Sequence, residues 1–214
     1  MRSATVASCR ALAWLMLAGP VGAQGLEGPR RPNVVLIMAD DLGFSDIGSY
    51  GSEIETPHLD RLADGGLRFT QFYNMAKCET TRASLLTGLF ARKRHADNAR
   101  SLSGLLGKAG YQTAIVGKEH FSRWVPAHVY ARESFDRSLV YWTINPFFEP
   151  PDGQWKNPFE LDGEAIATSD MPVSRRPFYK TDVLTDYALG FLEEAAETGK
   201  PFFLYLPYHV AHYP

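Results

Sequence analysis

Val34-Val35-Leu36-Ile37-Met38-Ala39-Asp40-Asp41 is an apolar run that stops on two adjacent carboxylates. Residues 34–39 show no polar alternation, so the run reads as a strand buried on both faces, as in a parallel sheet between layers of helix. The pattern recurs twice. Thr113-Ala114-Ile115-Val116 leads into Lys118-Glu119-His120, and Phe202-Phe203-Leu204-Tyr205-Leu206, opened by Pro201, leads into Pro207-Tyr208-His209-Val210-Ala211-His212-Tyr213-Pro214. Helical stretches lie between these strands. Thr56 caps a short one with Pro57 at its first position and Gly65-Gly66 after it. Others run from about Thr80 to Leu86, from Ser101 to Lys108, and from Thr181 to Thr198, where Val183, Leu184, Tyr187, Ala188, Phe191 and Leu192 face inward. Strands alternating with helices predict an α/β domain with a largely parallel sheet flanked by helices. The polar groups fall after the strands, where such folds place their sites.

Outward from that core, the chain of 214 residues is 45% hydrophobic and 21% charged, enough for a full domain core. This composition excludes a disordered, collagenous or coiled-coil protein. A formal charge of −2 argues against nucleic acid as a partner, since phosphate contacts need a basic surplus. Residues 1–23 carry Arg2 and Arg10, an apolar run from Ala11 to Ala18, and small residues to Ala23, the pattern of a secretory signal peptide. The run is too short to span a membrane, and no later one approaches that length. Export to a periplasmic or extracellular location is therefore expected. Cleavage after Ala23 removes Cys9 and leaves Cys78 without an internal disulfide partner. Residues 141–159, rich in proline and aromatics and without a helical or strand period, read as a long ordered loop.

Four clusters carry candidate chemistry. Asp40-Asp41 could ligate a hard divalent cation, or could simply bond its own backbone in a turn. Cys78 precedes a helix whose free N–H groups favour an anion or thiolate, and Arg82 falls one turn later on the same face. A small buried cysteine beside a surface arginine is the plain alternative. Lys118 and His120, two apart in an extended segment, would project together as an oxyanion clamp with a proton carrier, or form a solvated strand end. His209 and His212 sit in a proline-bracketed loop without the carboxylate or cysteine that would complete a zinc set.

Together these segments resemble the sulfatase family of the alkaline-phosphatase-like superfamily. The matching stretches are Arg31 to Gly43, Thr56 to Ala63, Cys78 to Gly88, Gly110 to His120, and Lys200 to Pro214, in the family's order. The resemblance implies that 24–214 is the N-terminal part of a catalytic domain hydrolysing sulfate esters, including those of sulfated carbohydrates. It implies that a formylglycine-generating enzyme converts Cys78 to formylglycine, the nucleophile. Arg82 would hold that group and neutralise the sulfate. Asp40, Asp41 and the modified Cys78 would ligate Ca²⁺, or Mg²⁺, and Lys118 would bind sulfate. His120 would be the base regenerating the aldehyde, with His212 near the leaving oxygen. His209 stands where a small residue is usual, and no role is carried over to it.

Three departures matter. Thr80 replaces the proline of the C-x-P-x-R signature that the converting enzyme reads, with Thr81 at the usual serine position, and conversion of Cys78 is expected. Glu119 replaces a frequent tryptophan and should alter the rim of the site. The later Asp-Asn metal pair and a second active-site lysine have no counterpart before Pro214. The chain is thus expected to be incomplete at its C-terminus and inactive alone. The competing readings are a phosphonate or phosphate ester hydrolase of the same superfamily, and a non-catalytic glycan-binding relative using Trp142 and Trp155 to stack on sugars.

Overall fold

A computed structural model describes residues 31–91, 99–142, 145–172 and 177–213. Residues 1–23, expected to be a signal peptide, lie outside them. Residues 32–214 form one unit built on a six-stranded sheet. In chain order the elements are β1 (Val34–Asp40), α1 (Pro57–Asp64), α2 (Cys78–Thr87), α3 (Leu102–Lys108), β2 (Gln112–Lys118), α4 (Ala131–Ser134), β3 (Arg137–Tyr141), β4 (Phe159–Leu161), β5 (Glu164–Ile166), α5 (Lys180–Thr198) and β6 (Phe202–Ala211), with short 3₁₀ turns between them. The strands are ordered β1-β6-β2-β3-β4-β5. The first four pair in parallel, and β4 and β5 extend the sheet as an antiparallel hairpin.

Alternation along the central strands feeds two cores. Leu204 and Leu206 of β6 face Val183, Leu184, Tyr187 and Phe191 of α5. Phe203 and Tyr205 face the other way, toward Ala83 and Leu86 of α2 and toward Phe121 and Val129. Full burial of each large apolar side chain contributes about 1.5–3 kcal/mol, so the two layers hold the strand ends in fixed register.

Several expectations need correction. β1 is half-buried rather than buried on both faces, because it is an edge strand among the described residues; Val35 and Ile37 are 46% and 58% exposed. α2 begins at Cys78 itself, with Lys77 as N-cap. The run after Leu206 is no proline-bracketed loop, since β6 continues through Pro207, Tyr208 and His209 to Ala211. β3, β4 and β5 had no counterpart in the sequence reading. The loop expected over 141–159 is described here except at residues 143–144, and its two ends lie in β3 and β4. Asn145 donates to the carbonyl of Asn157 at 2.6 Å and accepts from its N–H at 3.1 Å, clamping the two ends together.

Gly117 shows how closely β2 and β6 approach at the site. Its φ is +138°, and a Cβ placed there would meet the carbonyl oxygen of Pro207 at 2.2 Å. Only glycine fits.

Candidate active site

The carboxyl ends of β1, β6 and β2 bring the predicted residues to one end of the sheet. At its base is a buried ionic cluster. Lys118, the last residue of β2, places Nζ 2.5 Å from Oδ2 of Asp40, the last residue of β1. Arg82 reaches in from α2, with Nη2 3.3 Å from Asp40 Oδ1 and Nη1 donating to the Lys118 carbonyl at 2.8 Å. Arg82 and Lys118 are fully buried and Asp40 nearly so. Burial alone would raise the Asp40 carboxyl, but the adjacent Arg82 and Lys118 outweigh it and hold the group below the usual carboxylate range. Two cations thus share one carboxylate, leaving one buried positive charge in excess. Nε and Nη2 of Arg82 find no aligned hydrogen-bond acceptor among the described residues. Buried charge is tolerated only when paired, so this surplus calls for an anionic occupant.

Above the cluster lies a chain of contacts around Cys78. The thiol sits at the first position of α2, its Sγ 3.3 Å from His120 Nδ1. The opposite nitrogen, Nε2, lies 3.1 Å from Glu79 Oε1, and Trp124 Nε1 donates to Glu79 Oε2 at 3.0 Å. For Glu79, burial raises the carboxyl, but the Trp124 hydrogen bond and His120 prevail and lower it. An ionised Glu79 accepts from His120 Nε2–H and so leaves Nδ1 as a lone-pair acceptor facing Cys78. Burial, reinforced by Lys118, pulls His120 down to about 4, which keeps it a neutral base. The arrangement is a thiol, an imidazole and an orienting carboxylate in series, the geometry that activates a nucleophile.

His120 reaches this position by a route the spacing did not reveal. Its φ is +46°, so the chain has left the extended form and period two does not apply. Glu119 is not on the rim. It is buried, accepting from Ser122 Oγ at 3.0 Å and from the Ala131 N–H at 3.4 Å. The two tryptophans also part company. Trp155 packs on Phe159 and Phe178 in the core, whereas Trp142 lies edge-on to His120 with ring centroids 5.8 Å apart.

On the β6 side, His212 Nε2 stands 3.6 Å from Oδ2 of the exposed Asp41. Asp41 has φ +58°, a backbone state that Asp tolerates better than most residues. Asp40, His209 and His212 each offer a ligand atom within 4.8 Å of the others. Asp40 and Asp41 fit a hard cation by the chemistry of their oxygens, while the remaining oxygens that Ca²⁺ needs must come from other groups. A carboxylate with two imidazoles would suit a softer ion. The Nδ1 of His209, however, is engaged by Lys180 Nζ at 2.7 Å.

Glu79, Trp124 and Lys180 are the site residues that sequence reasoning missed, while His209 was named without a role. Glu79 reads as an ordinary acid in a helix's first turn. Lys180 did carry a signal, a cation opening a long helix against its dipole.

The sequence profile of the Sulfatase family matches residues 32–214. The chain is 32% identical to mouse N-acetylgalactosamine-6-sulfatase, with 98% of this chain and 45% of that protein aligned. It is 33% identical to bovine arylsulfatase A, over 90% of this chain and 43% of that protein. Among solved structures, it superposes with a TM-score of 0.67 at 28% identity on a protein in complex with its substrate D-glucosamine-2-N,6-O-disulfate, covering 86% of this chain and 35% of the other. An Agrobacterium radiobacter phosphonate monoester hydrolase shares the fold, with a TM-score of 0.54 at 22% identity, covering 86% of this chain and 42% of the other. The chain spans less than half the length of each of these proteins.

Proposed function

Because the chain belongs to the sulfatase family, we propose that it is the part of a sulfate-ester hydrolase that carries the nucleophile, the oxyanion-binding cations and the proton-transfer histidines. The observation that carries this reading is the buried pair Arg82 and Lys118 sharing the single carboxylate of Asp40, a site with one positive charge too many until an anion enters. A sulfate group fits, because the forked guanidinium of Arg82 matches a tetrahedral oxyanion.

The residues divide the work. Arg82 and Lys118 neutralise the nonbridging oxygens in a site shielded from water, where fixed charges act most strongly. Conversion of Cys78 to formylglycine, by a formylglycine-generating enzyme, would supply a hydrated aldehyde as nucleophile. Asp40 and Asp41, together with the modified residue 78, would hold Ca²⁺ or Mg²⁺, which would draw charge from a sulfate oxygen. His120, neutral and held by Glu79, takes a proton at Nδ1. His212 stands near the leaving oxygen. The likeness to N-acetylgalactosamine-6-sulfatase favours a sulfated carbohydrate as substrate. Segment 1–23 supports export, and a mature protein beginning at Gln24 would bear that out.

The test is turnover of paired aryl sulfate and aryl phosphate esters by the full-length protein. Faster turnover of sulfate is expected. Preference for phosphate would move the reading to the phosphoester alternative, and binding of sulfated glycan without turnover of either ester would make the protein a non-catalytic relative.

A further inference from the structure

His209 carries no role so far, and its surroundings are unusual. Its side chain is 1% exposed, at the carboxyl end of β6, with its ring 4.9 Å from that of His212. Its Nδ1 faces Lys180 Nζ at 2.7 Å, while its Nε2 is buried without any hydrogen-bond partner among the described residues. Lys180 is equally buried. Its Nζ donates to the Asn145 carbonyl at 2.7 Å and lies 4.8 Å from the ring centres of both Tyr141 and Phe147. The Asn145–Asn157 clamp fixes that carbonyl, so the amine has one place to sit.

From this geometry we propose that Lys180 is a positioning residue that fixes His209 with its proton on Nε2, aimed at an oxygen of the bound sulfate group. As an ammonium, Lys180 has donors and no acceptor, so the Asn145 carbonyl and His209 Nδ1 both accept from it. An imidazole that accepts at Nδ1 must carry its single proton on Nε2. That N–H then has no acceptor among the described residues. A buried donor left unpaired costs about 1–3 kcal/mol, so its retention beside Asp40, Lys118 and His212 implies an acceptor that arrives with the ligand. The same proton rules out His209 Nε2 as a metal ligand. Asp40 and His212 are then left without the third donor that their cluster would need for a softer ion.

This inference rests on the sulfate-ester reading, and its test separates the two. Long-range ¹H–¹⁵N correlation spectra of histidine-labelled full-length protein report which ring nitrogen carries the proton, and calorimetry with inorganic sulfate reports the anion site without catalysis. The expected result is an Nε2–H tautomer at His209 in the wild type. In Lys180→Met a mixed or reversed tautomer is expected, with sulfate affinity and kcat/KM on aryl sulfate each lowered about tenfold, the range seen when the partner of a functional histidine is removed. Lys180→Gln, whose amide still donates to Nδ1, should keep the tautomer and most of the affinity, which a merely structural lysine would not predict. An Nδ1–H tautomer in the wild type overturns the proposal. So does unchanged sulfate affinity in a folded Lys180→Met protein. Wild-type protein that shows the tautomer and binds sulfate but hydrolyses no ester overturns the hydrolase reading and leaves the Lys180–His209 assignment standing.

Discussion

Glu79 Oε1 lies 3.1 Å from His120 Nε2, which turns the other ring nitrogen, Nδ1, toward Cys78 Sγ at 3.3 Å. Two donors, His120 Nε2–H and Trp124 Nε1–H, converge on the two oxygens of one carboxylate. A glutamine can accept from only one of them, since its amide nitrogen repels the other. Glu79→Gln should therefore lower kcat on aryl sulfate about 10–100-fold, the usual effect of losing a histidine's orienting partner. KM and the melting temperature should change little. Steady-state kinetics beside a thermal melt checks this, and unchanged kcat would remove Glu79 from the mechanism.

Asp40 and Asp41 are adjacent but should respond differently. Asp40→Asn leaves Arg82 and Lys118 buried without their counter-ion, a loss of about 3–5 kcal/mol. Asp41 is exposed, so Asp41→Asn should shift stability by less than about 0.5 kcal/mol. If both carboxylates hold a cation, each variant should also lose the rise in melting temperature that Ca²⁺ gives the wild type. Denaturation with and without Ca²⁺ measures both effects, and an equal stability loss in the two variants would contradict the buried cluster.

Burial raises the Glu119 carboxyl above its ordinary range, and the Ser122 hydrogen bond offsets this only in part. The folded state therefore holds that proton more tightly than the unfolded chain. The stabilisation is complete below about pH 4.3, the unfolded carboxyl value, and is lost as pH rises through the folded value. Glu119→Gln, neutral at every pH, should remove this pH dependence and raise the melting temperature at neutral pH. A lower melting temperature at pH 7 in the variant would show that the charged form is the stabilising one.

Gly117→Ala forces a Cβ against the Pro207 backbone at a positive φ, so β2 and β6 must separate. A loss of at least about 1–3 kcal/mol is expected, together with lower activity, because the same separation moves Lys118 away from His209 and His212. A variant with wild-type stability would mean that the strands are less tightly apposed than described.

The place of the site was legible because each apolar run gave way to polar groups, Asp40-Asp41, Lys118 and His209 to His212, although the strands keep Asp40, Lys118 and His209 and β6 runs on to Ala211. Arg82 was legible from helical spacing. Glu79 and Lys180 were not, since their functions depend on residues 41 and 29 positions away in the chain, His120 and His209. β4 and β5 are three residues each, too short for periodicity, yet their connection carried a usable signal. Asp162-Gly163, with φ of +50° and +89°, is the Asp-Gly pair that tight hairpin turns demand. The open face of β1 was illegible for another reason. An apolar run shows how buried a strand can be, while its neighbours decide how buried it is.

Residue 78 is the pivot of the proposed chemistry. Trypsin releases Cys78–Arg82 as a single peptide, because Lys77 precedes it and Arg82 ends it. Mass spectrometry of that peptide from full-length protein, produced alongside a formylglycine-generating enzyme, should show an aldehyde in place of the thiol. An unmodified thiol in every molecule of an active preparation would contradict the formylglycine mechanism and leave Cys78, His120 and Glu79 to act as a thiol triad.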